Sequence, residues 1–268
     1  MNEELEPGAL LAQGKTAAIY AAGKDRILKL FVKGFPASLI EREAAGMHAA
    51  EAGNLPVPRL LQTVTVDGRQ GLVMERVRGH SMLQLLAREP THTSRFARMF
   101  AELQAQVHSC SGTGLPSCSE DMARRIARAG VLARVKGNAL AVLELLPDGN
   151  ALCHGNLHPG NVLVTAKGPC LINWDAAVCG NPAADAARTA LILRIGDAPG
   201  GMFASGWTER ETRNRFYQIW LKRYRELRPE AADVWNWLLP VAVARLAADI
   251  PAERPRLLQL IEQLQKTP

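Results

Sequence analysis

The stretch Leu152–Asp175, LCHGNLHPGNVLVTAKGPCLINWD, decides how the chain folds around its polar residues. Its first part, HGNLHPGN, is excluded from a helix interior because Pro159 and the glycines near it break helices. The apolar run Val162–Val164 predicts a short strand, and Ala166–Pro169 supplies turn residues. Cys170–Ile172 then predicts a returning strand. The stretch therefore predicts a polar loop followed by a β-hairpin.

Such a hairpin brings three amide side chains to one of its ends, where a polar ligand could contact all of them. They are Asn156, Asn161 and Asn173. The stretch resembles the catalytic segment of the aminoglycoside phosphotransferase and choline kinase-like family, which reads H-G-D-x-x-x-x-N, a hairpin, and then I-D-W or I-D-x. In that pattern the first Asp is the catalytic base, the Asn is a metal ligand, and the second Asp is the main metal ligand. The three positions fall on Asn156, Asn161 and Asn173, so an amide replaces a carboxylate at two of them.

The resemblance implies an α+β, protein-kinase-like fold with two lobes. The small N-terminal lobe, residues 1–77, is expected to hold an antiparallel sheet and one helix and to bind the nucleotide. The larger, mainly helical lobe, residues 78–268, is expected to hold the catalytic loop and the acceptor site. The implied cofactors are ATP and Mg²⁺.

The nucleotide side is predicted from residues 10–47, which read as a hairpin, a third strand and a helix. The resemblance assigns the turn at Gly14 and Lys15 to the ATP phosphates, because a glycine lets backbone N–H groups approach them. It assigns Lys29 to the α- and β-phosphates and pairs it with a helix glutamate. Glu43 is the better match for that glutamate and Glu41 is the competitor, because they face different sides of the helix.

Residues Glu75–Gly79 are the implied hinge, where backbone groups would pair with the adenine edge. Met74 and Val77 are expected to lie beside the ring, and Glu75 begins the hinge. Without the resemblance, this segment is interpreted as a strand of the small sheet.

Two further residues are assigned to the support of the catalytic loop. His154 is interpreted as a scaffold residue that bonds loop backbone, because a helical His–x–x–x–His metal pair is impossible through this loop. Asp185 has two interpretations: it caps a helix N-terminus, or it braces the catalytic loop as the resemblance implies.

Asp175 offers a compensation for the missing carboxylate at Asn173. Alternate residues of an extended strand share a face, so Asp175 could supply the charge to the metal if the strand continues. If the chain turns at Trp174, it cannot.

The two amides change the expected chemistry. An amide oxygen accepts a hydrogen bond but cannot act as a base near neutral pH, and general-base catalysis contributes about 10²- to 10⁴-fold. Magnesium sites of this kind use one or two carboxylates and phosphate oxygens. Three interpretations follow: a kinase with slowed turnover, a nucleotide-binding pseudokinase that acts as a sensor or scaffold, or a substituted active enzyme. Because both changes are to the near-isosteric residue and the rest of the motif is intact, we expect nucleotide binding to be retained.

Bulk properties favour a globular protein and predict a cytoplasmic location. The N-terminal MNEELEPG lacks the apolar segment of a signal peptide, and no run approaches the roughly 18 apolar residues of a membrane span. The five cysteines are scattered without CxxC spacing, which favours free thiols over a disulfide framework or a zinc site. The net charge of +6 is spread along the chain, which makes nucleic acid an unlikely partner. The sequence does not predict the oligomeric state.

The C-terminal part, from residue 208 onwards, is predicted to be helical. Thr208 and Glu211 form a candidate capping box, and four tryptophans are expected in the core or in pocket walls: Trp207, Trp220, Trp235 and Trp237. A site for polycationic aminoglycosides should be lined with carboxylates, whereas the expected acceptor lobe is rich in arginine. The sequence therefore favours a neutral or anionic hydroxylated acceptor. The arginines are Arg188, Arg194, Arg210, Arg213, Arg215, Arg223 and Arg225.

Overall fold

The computed structural model describes residues 6–195, 210–231 and 233–266. Its first sheet has five antiparallel strands in the order β1-β2-β3-β5-β4. These strands are β1 (Leu10–Gln13), β2 (Ala17–Ala21), β3 (Arg26–Phe31), β4 (Leu60–Val66) and β5 (Arg69–Glu75). Helix α1 (Ala37–Ala52) lies between β3 and β4 in the chain.

The turn between β4 and β5 has the residues that a tight hairpin needs. Asp67 and Gly68 both have positive φ, 50° and 71°, as the favoured two-residue turns of hairpins require. In β3, residues alternate between the two faces of the sheet. Leu28 and Leu30 pack in a small cluster on one face, while Phe31 on the other face belongs to the main core. Lys29 shares the face of Phe31.

Two small sheets link the first sheet to the rest of the chain. β6 (His80–Ser81) pairs with β8 (Val162–Thr165), which pairs with β9 (Gly168–Leu171). β7 (Ala151–Cys153) pairs with β10 (Val178–Gly180). The predicted hairpin after the polar loop is thus present, and the boundary at residue 77 stays a prediction.

The remainder of the described chain is mainly helical. Short 3-10 turns lie at Pro90–His92, Pro159–Asn161, Pro229–Ala231 and Leu246–Ala248. The helices are α2 (Met82–Arg88), α3 (Thr93–Val107), α4 (Cys118–Arg128), α5 (Ala133–Leu145), α6 (Pro182–Ile195), α7 (Arg210–Leu227), α8 (Leu238–Arg245) and α9 (Arg254–Lys266).

Helix α6 is buried along most of its length, as expected for a helix that is apolar on all sides. It packs among the other large helices, where aromatic side chains fill the core. Trp220 of α7 is fully buried, and its Nε1 donates a hydrogen bond to Gln104 Oε1 of α3 (2.9 Å). This bond satisfies the indole N–H in the interior.

The tryptophan prediction is partly wrong. Trp220 and Trp237 are buried, but Trp235 is 42% exposed, outside the core, with the Arg225 guanidinium 5.8 Å from its ring centroid. Tryptophan combines an apolar ring with a polar N–H, so its residue type alone does not decide burial. Trp207 and Thr208, and with Thr208 the predicted capping box, lie outside the described residues. In the residues described after 209, turns and the short 3-10 helices Pro229–Ala231 and Leu246–Ala248 separate α7, α8 and α9.

Within the described residues, no helix has both the length and the apolar character that crossing a membrane requires. The cytoplasmic location stays a prediction.

Candidate active site

The polar loop after β7 depends on a glycine. Gly155 has φ +72°, and a Cβ at this position would lie 2.0 Å from the carbonyl oxygen of Ala176. Both the left-handed backbone and the close approach exclude a larger side chain. The loop therefore passes directly against the turn that follows the hairpin.

His154 connects the loop to the end of the hairpin. Its Nδ1 accepts a hydrogen bond from Asn156 N (3.3 Å), so Nε2 carries the proton and donates to the carbonyl oxygen of Ile172 (3.1 Å). The side chain is fully buried, and this burial lowers the pKa of the imidazole below its usual value. His154 is thus a neutral scaffold residue that bonds backbone on both sides, as the sequence predicts.

Asp185 of α6 braces the same loop. Its Oδ1 accepts a hydrogen bond from Gly155 N (2.7 Å), and its Oδ2 lies 3.2 Å from His154 N and 3.0 Å from His108 Nε2. Burial opposes ionisation, but the hydrogen bond and charge of His108 lower the pKa of this carboxyl below its ordinary value. Of the two interpretations of Asp185, the contacts are those of a loop brace.

The three asparagines are joined in series. Asn173 Nδ2 donates to Asn161 Oδ1 (2.8 Å), and Asn161 Nδ2 donates to the carbonyl oxygen of Asn156 (2.9 Å). The hairpin therefore brings all three residues to one end, and two of their side chains contact each other.

Lys29 and Glu43 form a buried ion pair on the opposite side of the site. Lys29 Nζ lies 2.6 Å from Oε1 and 2.8 Å from Oε2 of Glu43. Burial raises the pKa of the Glu43 carboxyl, and the charge of Lys29 opposes this effect. Glu41 is exposed, so the structure selects Glu43 as the partner. Lys29 Nζ also lies 3.5 Å from Asn173 Oδ1, which brings the first sheet and the hairpin together.

Arg42 is a residue of the site that the sequence did not reveal. Its guanidinium donates to the carbonyl oxygens of Ala177 (2.7 Å) and Ala176 (2.9 Å) and pairs with Asp121 (3.1 Å). These bonds tie α1 to the turn after the hairpin. Backbone carbonyls have no sequence signature, so nothing in the residue pattern could identify Arg42 as an anchor.

The condition for a compensating Asp175 is not met. β9 ends at Leu171, Asn173 has φ +64°, and Ala177 N donates to the carbonyl oxygen of Trp174 (3.0 Å) in a turn. The chain therefore leaves the extended conformation before Trp174, and alternation along a strand does not place Asp175 beside Asn173. Asp175 Oδ1 and Asn156 Oδ1 are both buried and make no hydrogen bond within the described part of the chain.

Comparison with known proteins identifies the family. Residues 9–217 match the family profile of the phosphotransferase enzyme family. The chain belongs to this family. A comparison with curated protein sequences found no match.

Solved structures of phosphotransferases share the fold of this family member. A thermostable mutant of aminoglycoside phosphotransferase APH(4)-Ia is 14% identical, with a TM-score of 0.65 and coverage of 96% of this chain and 90% of that chain. Amicoumacin kinase hAmiN is 13% identical, with a TM-score of 0.67 and coverage of 100% and 90%. A choline/ethanolamine kinase family protein from Mesorhizobium loti is 16% identical, with a TM-score of 0.57 and coverage of 100% and 90%. The α+β, protein-kinase-like fold that the sequence predicts is confirmed.

The remaining predicted nucleotide residues of this phosphotransferase lie along the first sheet. Gly14 and Lys15 are exposed in the turn between β1 and β2, where Gly14 N donates to the carbonyl oxygen of Ala17 (2.9 Å). Met74 is buried at the end of β5, Glu75 pairs with Arg59 (3.2 Å), and Val77 is partly buried. Their contacts with a nucleotide stay predictions.

The implied magnesium ligands do not fit a directly bound Mg²⁺. Asn161 Oδ1 already accepts a hydrogen bond from Asn173, and Asn173 Oδ1 faces the Lys29 ammonium. Neither side chain is a carboxylate, whereas Mg²⁺ is usually held through one or two of them. Within residues 6–195, 210–231 and 233–266, no group of three or more His, Cys, Asp or Glu side chains could hold a metal ion. The donor chemistry of the asparagine pair therefore disagrees with the implied cation.

Proposed function

We propose that this phosphotransferase binds ATP between Lys29 and the catalytic segment and transfers its γ-phosphoryl group to a hydroxyl group of a small molecule. The observation that carries the proposal is the 3.5 Å contact between Lys29 Nζ and Asn173 Oδ1, which joins residues 144 positions apart. The contact places the predicted phosphate-binding lysine against the predicted catalytic hairpin. In the same proposal, residues 1–77 bind the nucleotide and residues 78–268 hold the catalytic loop and the acceptor.

The ligands of structural neighbours support a nucleotide and a small-molecule acceptor. The APH(4)-Ia structure is a ternary complex with ADP and hygromycin B. The amicoumacin kinase structure holds AMP-PNP, Ca²⁺ and Ami. From these neighbours we carry over to this chain only the reaction class, phosphoryl transfer from a nucleotide to a small molecule. The resemblance also implies Mg²⁺, and binding is therefore to be measured with and without it.

In the proposed reaction, the acceptor oxygen forms a bond to the γ-phosphorus while the bond to the β–γ bridging oxygen breaks and ADP leaves. The hydroxyl proton must be lost. Asn156 can orient the hydroxyl through its Oδ1, which is buried without a hydrogen-bond partner in the described structure, but an amide does not take the proton near neutral pH. We therefore expect slow turnover, with the proton passing to phosphate or water.

Two arginines of α7, Arg215 and Arg223, give no support to an anionic acceptor, because both are engaged by α3. Arg223 pairs with Glu102 (3.0 Å) and Arg215 donates to Ser94 (3.1 Å), so both side chains lie against α3. Arg188 lines a cavity of about 40 Å³ with Gly155 and Asp185, behind the catalytic loop, which has room for a few waters and not for an acceptor. The proposal specifies a hydroxyl group and not the charge of its carrier.

The test is phosphoryl transfer from radiolabelled ATP or GTP to a panel of hydroxylated compounds, by the intact chain and by Asn156→Asp. Because the carboxylate can accept the proton, we expect turnover to rise by about 10²- to 10⁴-fold in the variant. Asn138→Asp is the matched control, since Asn138 is exposed on α5 and the change adds the same charge outside the site. Nucleotide binding without transfer by either form would contradict the enzymatic proposal, and the absence of nucleotide binding would contradict all of it.

A further inference from the structure

The hydrogen bonds through Asn173 have a fixed direction. The series runs from Lys29 Nζ to Asn173 Oδ1 (3.5 Å), from Asn173 Nδ2 to Asn161 Oδ1 (2.8 Å), and from Asn161 Nδ2 to the carbonyl oxygen of Asn156 (2.9 Å). An ammonium group only donates and a backbone carbonyl only accepts. Turning either amide around would therefore place two donors or two acceptors against each other, so both ends of the series determine both amide orientations.

A carboxylate at position 173 would break this series. Both of its oxygens are acceptors, and one of them would face Asn161 Oδ1 across the distance of 2.8 Å that the amide bond now spans. Asn161 cannot relieve the clash by turning, because its oxygen would then face the carbonyl oxygen of Asn156. Two facing oxygens repel each other unless a proton or a cation lies between them. The Asn173 amide needs none, because its N–H group already satisfies Asn161.

The charge balance of the site points the same way. Lys29 and Glu43 form a buried pair of opposite charges, and Asn161 and Asn173 are neutral. A carboxylate at position 173 would add a negative charge beside the place proposed for the phosphates and repel a metal-free triphosphate. In this chain Asp175 is the carboxylate near the pair, where burial and then the charge of Asp175 raise the pKa of Glu43, and position 173 adds no second one. Two hydrogens of Lys29 are directed at Glu43 and the third at Asn173 Oδ1, and this last contact is the longest at 3.5 Å, so a phosphate oxygen would replace it first.

We propose that the Asn173 amide takes the place of a divalent cation in this protein, so that nucleotide binding does not depend on Mg²⁺. The inference rests on the proposed nucleotide site. It makes Asn173 a specificity-determining residue that admits the metal-free nucleotide.

The test is calorimetric titration of ATP into the intact chain, once with EDTA and once with excess Mg²⁺. For the unsubstituted chain we expect the two dissociation constants to differ by less than about threefold. For Asn173→Asp we expect binding in EDTA to weaken by at least about tenfold, because a negative charge then faces the phosphates, and Mg²⁺ to restore it. Asn138→Asp serves as the control for added charge and should behave as the unsubstituted chain.

Each outcome separates this inference from the proposed function. Binding by the unsubstituted chain that is tight with Mg²⁺ and lost in EDTA overturns the cation-independent site while leaving the kinase proposal intact. Equal behaviour of Asn173→Asp and the unsubstituted chain also overturns it. No nucleotide binding in either buffer overturns both proposals. Direct Mn²⁺ titration of each form without nucleotide gives a second readout, in which only Asn173→Asp is expected to gain affinity.

Discussion

Asp185 and Asn173 lie on two sides of the same catalytic segment and show why one position keeps a carboxylate and the other holds an amide. Asp185 is surrounded by donors: the backbone N–H groups of His154 and Gly155 and the Nε2 of His108. Asn173 lies between a donor, Lys29, and an acceptor, Asn161 Oδ1. A carboxylate satisfies the first environment and an amide satisfies the second.

Whether Asp or Asn is favoured at each position depends on whether its hydrogen-bond partners are donors or acceptors. Buried polar groups must be paired, because an unpaired donor or acceptor loses its bonds to water without replacement. At Asp185 an amide would turn its NH₂ towards a donor. At Asn173 a carboxylate would turn an oxygen towards an acceptor. We therefore expect Asp→Asn to destabilise the protein at position 185 and Asn→Asp to destabilise it at position 173.

The largest expected effect is at the donor-lined position. Asp185→Asn should lower the free energy of unfolding by about 3 kcal/mol, because it removes a buried charge that three donors require. Urea unfolding at neutral pH measures the change. Asp67→Asn, at an exposed turn residue with φ +50°, is the matched control and should be nearly neutral. Equal stability of the two variants would contradict the claim that the donors around Asp185 require a carboxylate.

The second largest expected effect is the pH dependence of stability caused by His158, a buried neutral histidine. His158 Nδ1 accepts from Gly160 N (3.1 Å), and burial, together with the charges of Arg245 and Arg188, lowers the pKa of His158 to about 3. The unfolded chain therefore binds a proton below about pH 6.5 that the folded chain refuses. Stability should fall as the pH drops from about 6.5 towards 3, by up to about 2–3 kcal/mol over the first two pH units.

His158→Gln isolates this contribution, since its amide oxygen can accept from Gly160 N without titrating. Unfolding followed from pH 7 to 4.5 should show a smaller dependence on pH in the variant than in the unsubstituted chain. Identical slopes would mean that His158 protonates in the folded protein and that its surroundings tolerate a charge.

The smallest expected effect is at the position of mixed polarity. Without divalent cations, Asn173→Asp should lower the free energy of unfolding by about 1–2 kcal/mol, because one carboxylate oxygen faces Asn161 Oδ1. The Lys29 ammonium offsets part of the loss. Thermal unfolding in EDTA and in Mg²⁺ measures it, with Asn138→Asp as reference. A stabilised Asn173→Asp in EDTA would contradict the fixed direction of the hydrogen bonds.

Much of the fold could be predicted because it depends on local signals. β4 (Leu60–Val66) depends on such a signal, since its β-branched residues lead directly into the Asp67–Gly68 turn. The break between α2 and α3 follows from Pro90. The prediction failed where local signals did not decide burial, as at Trp235.

The candidate site was predicted in its members and not in its connections. Lys29, Glu43 and the three asparagines could be named from their motif. The anchor Arg42 could not, because its partners are the backbone carbonyls of Ala176 and Ala177. The left-handed turn at Asn173 also required the structure, and it excludes the extended arrangement in which Asp175 could share the face of Asn173.

By itself, the sequence determined which side chains the protein offers: a strand lysine, two helix carboxylates and three amides at the positions where the resemblance predicts catalytic groups. Only the tertiary structure decided what each group faces. The reason is physical: residue type sets whether a side chain donates or accepts, but its partners come from distant parts of the chain, such as Lys29 for Asn173, and packing alone brings them within bonding distance.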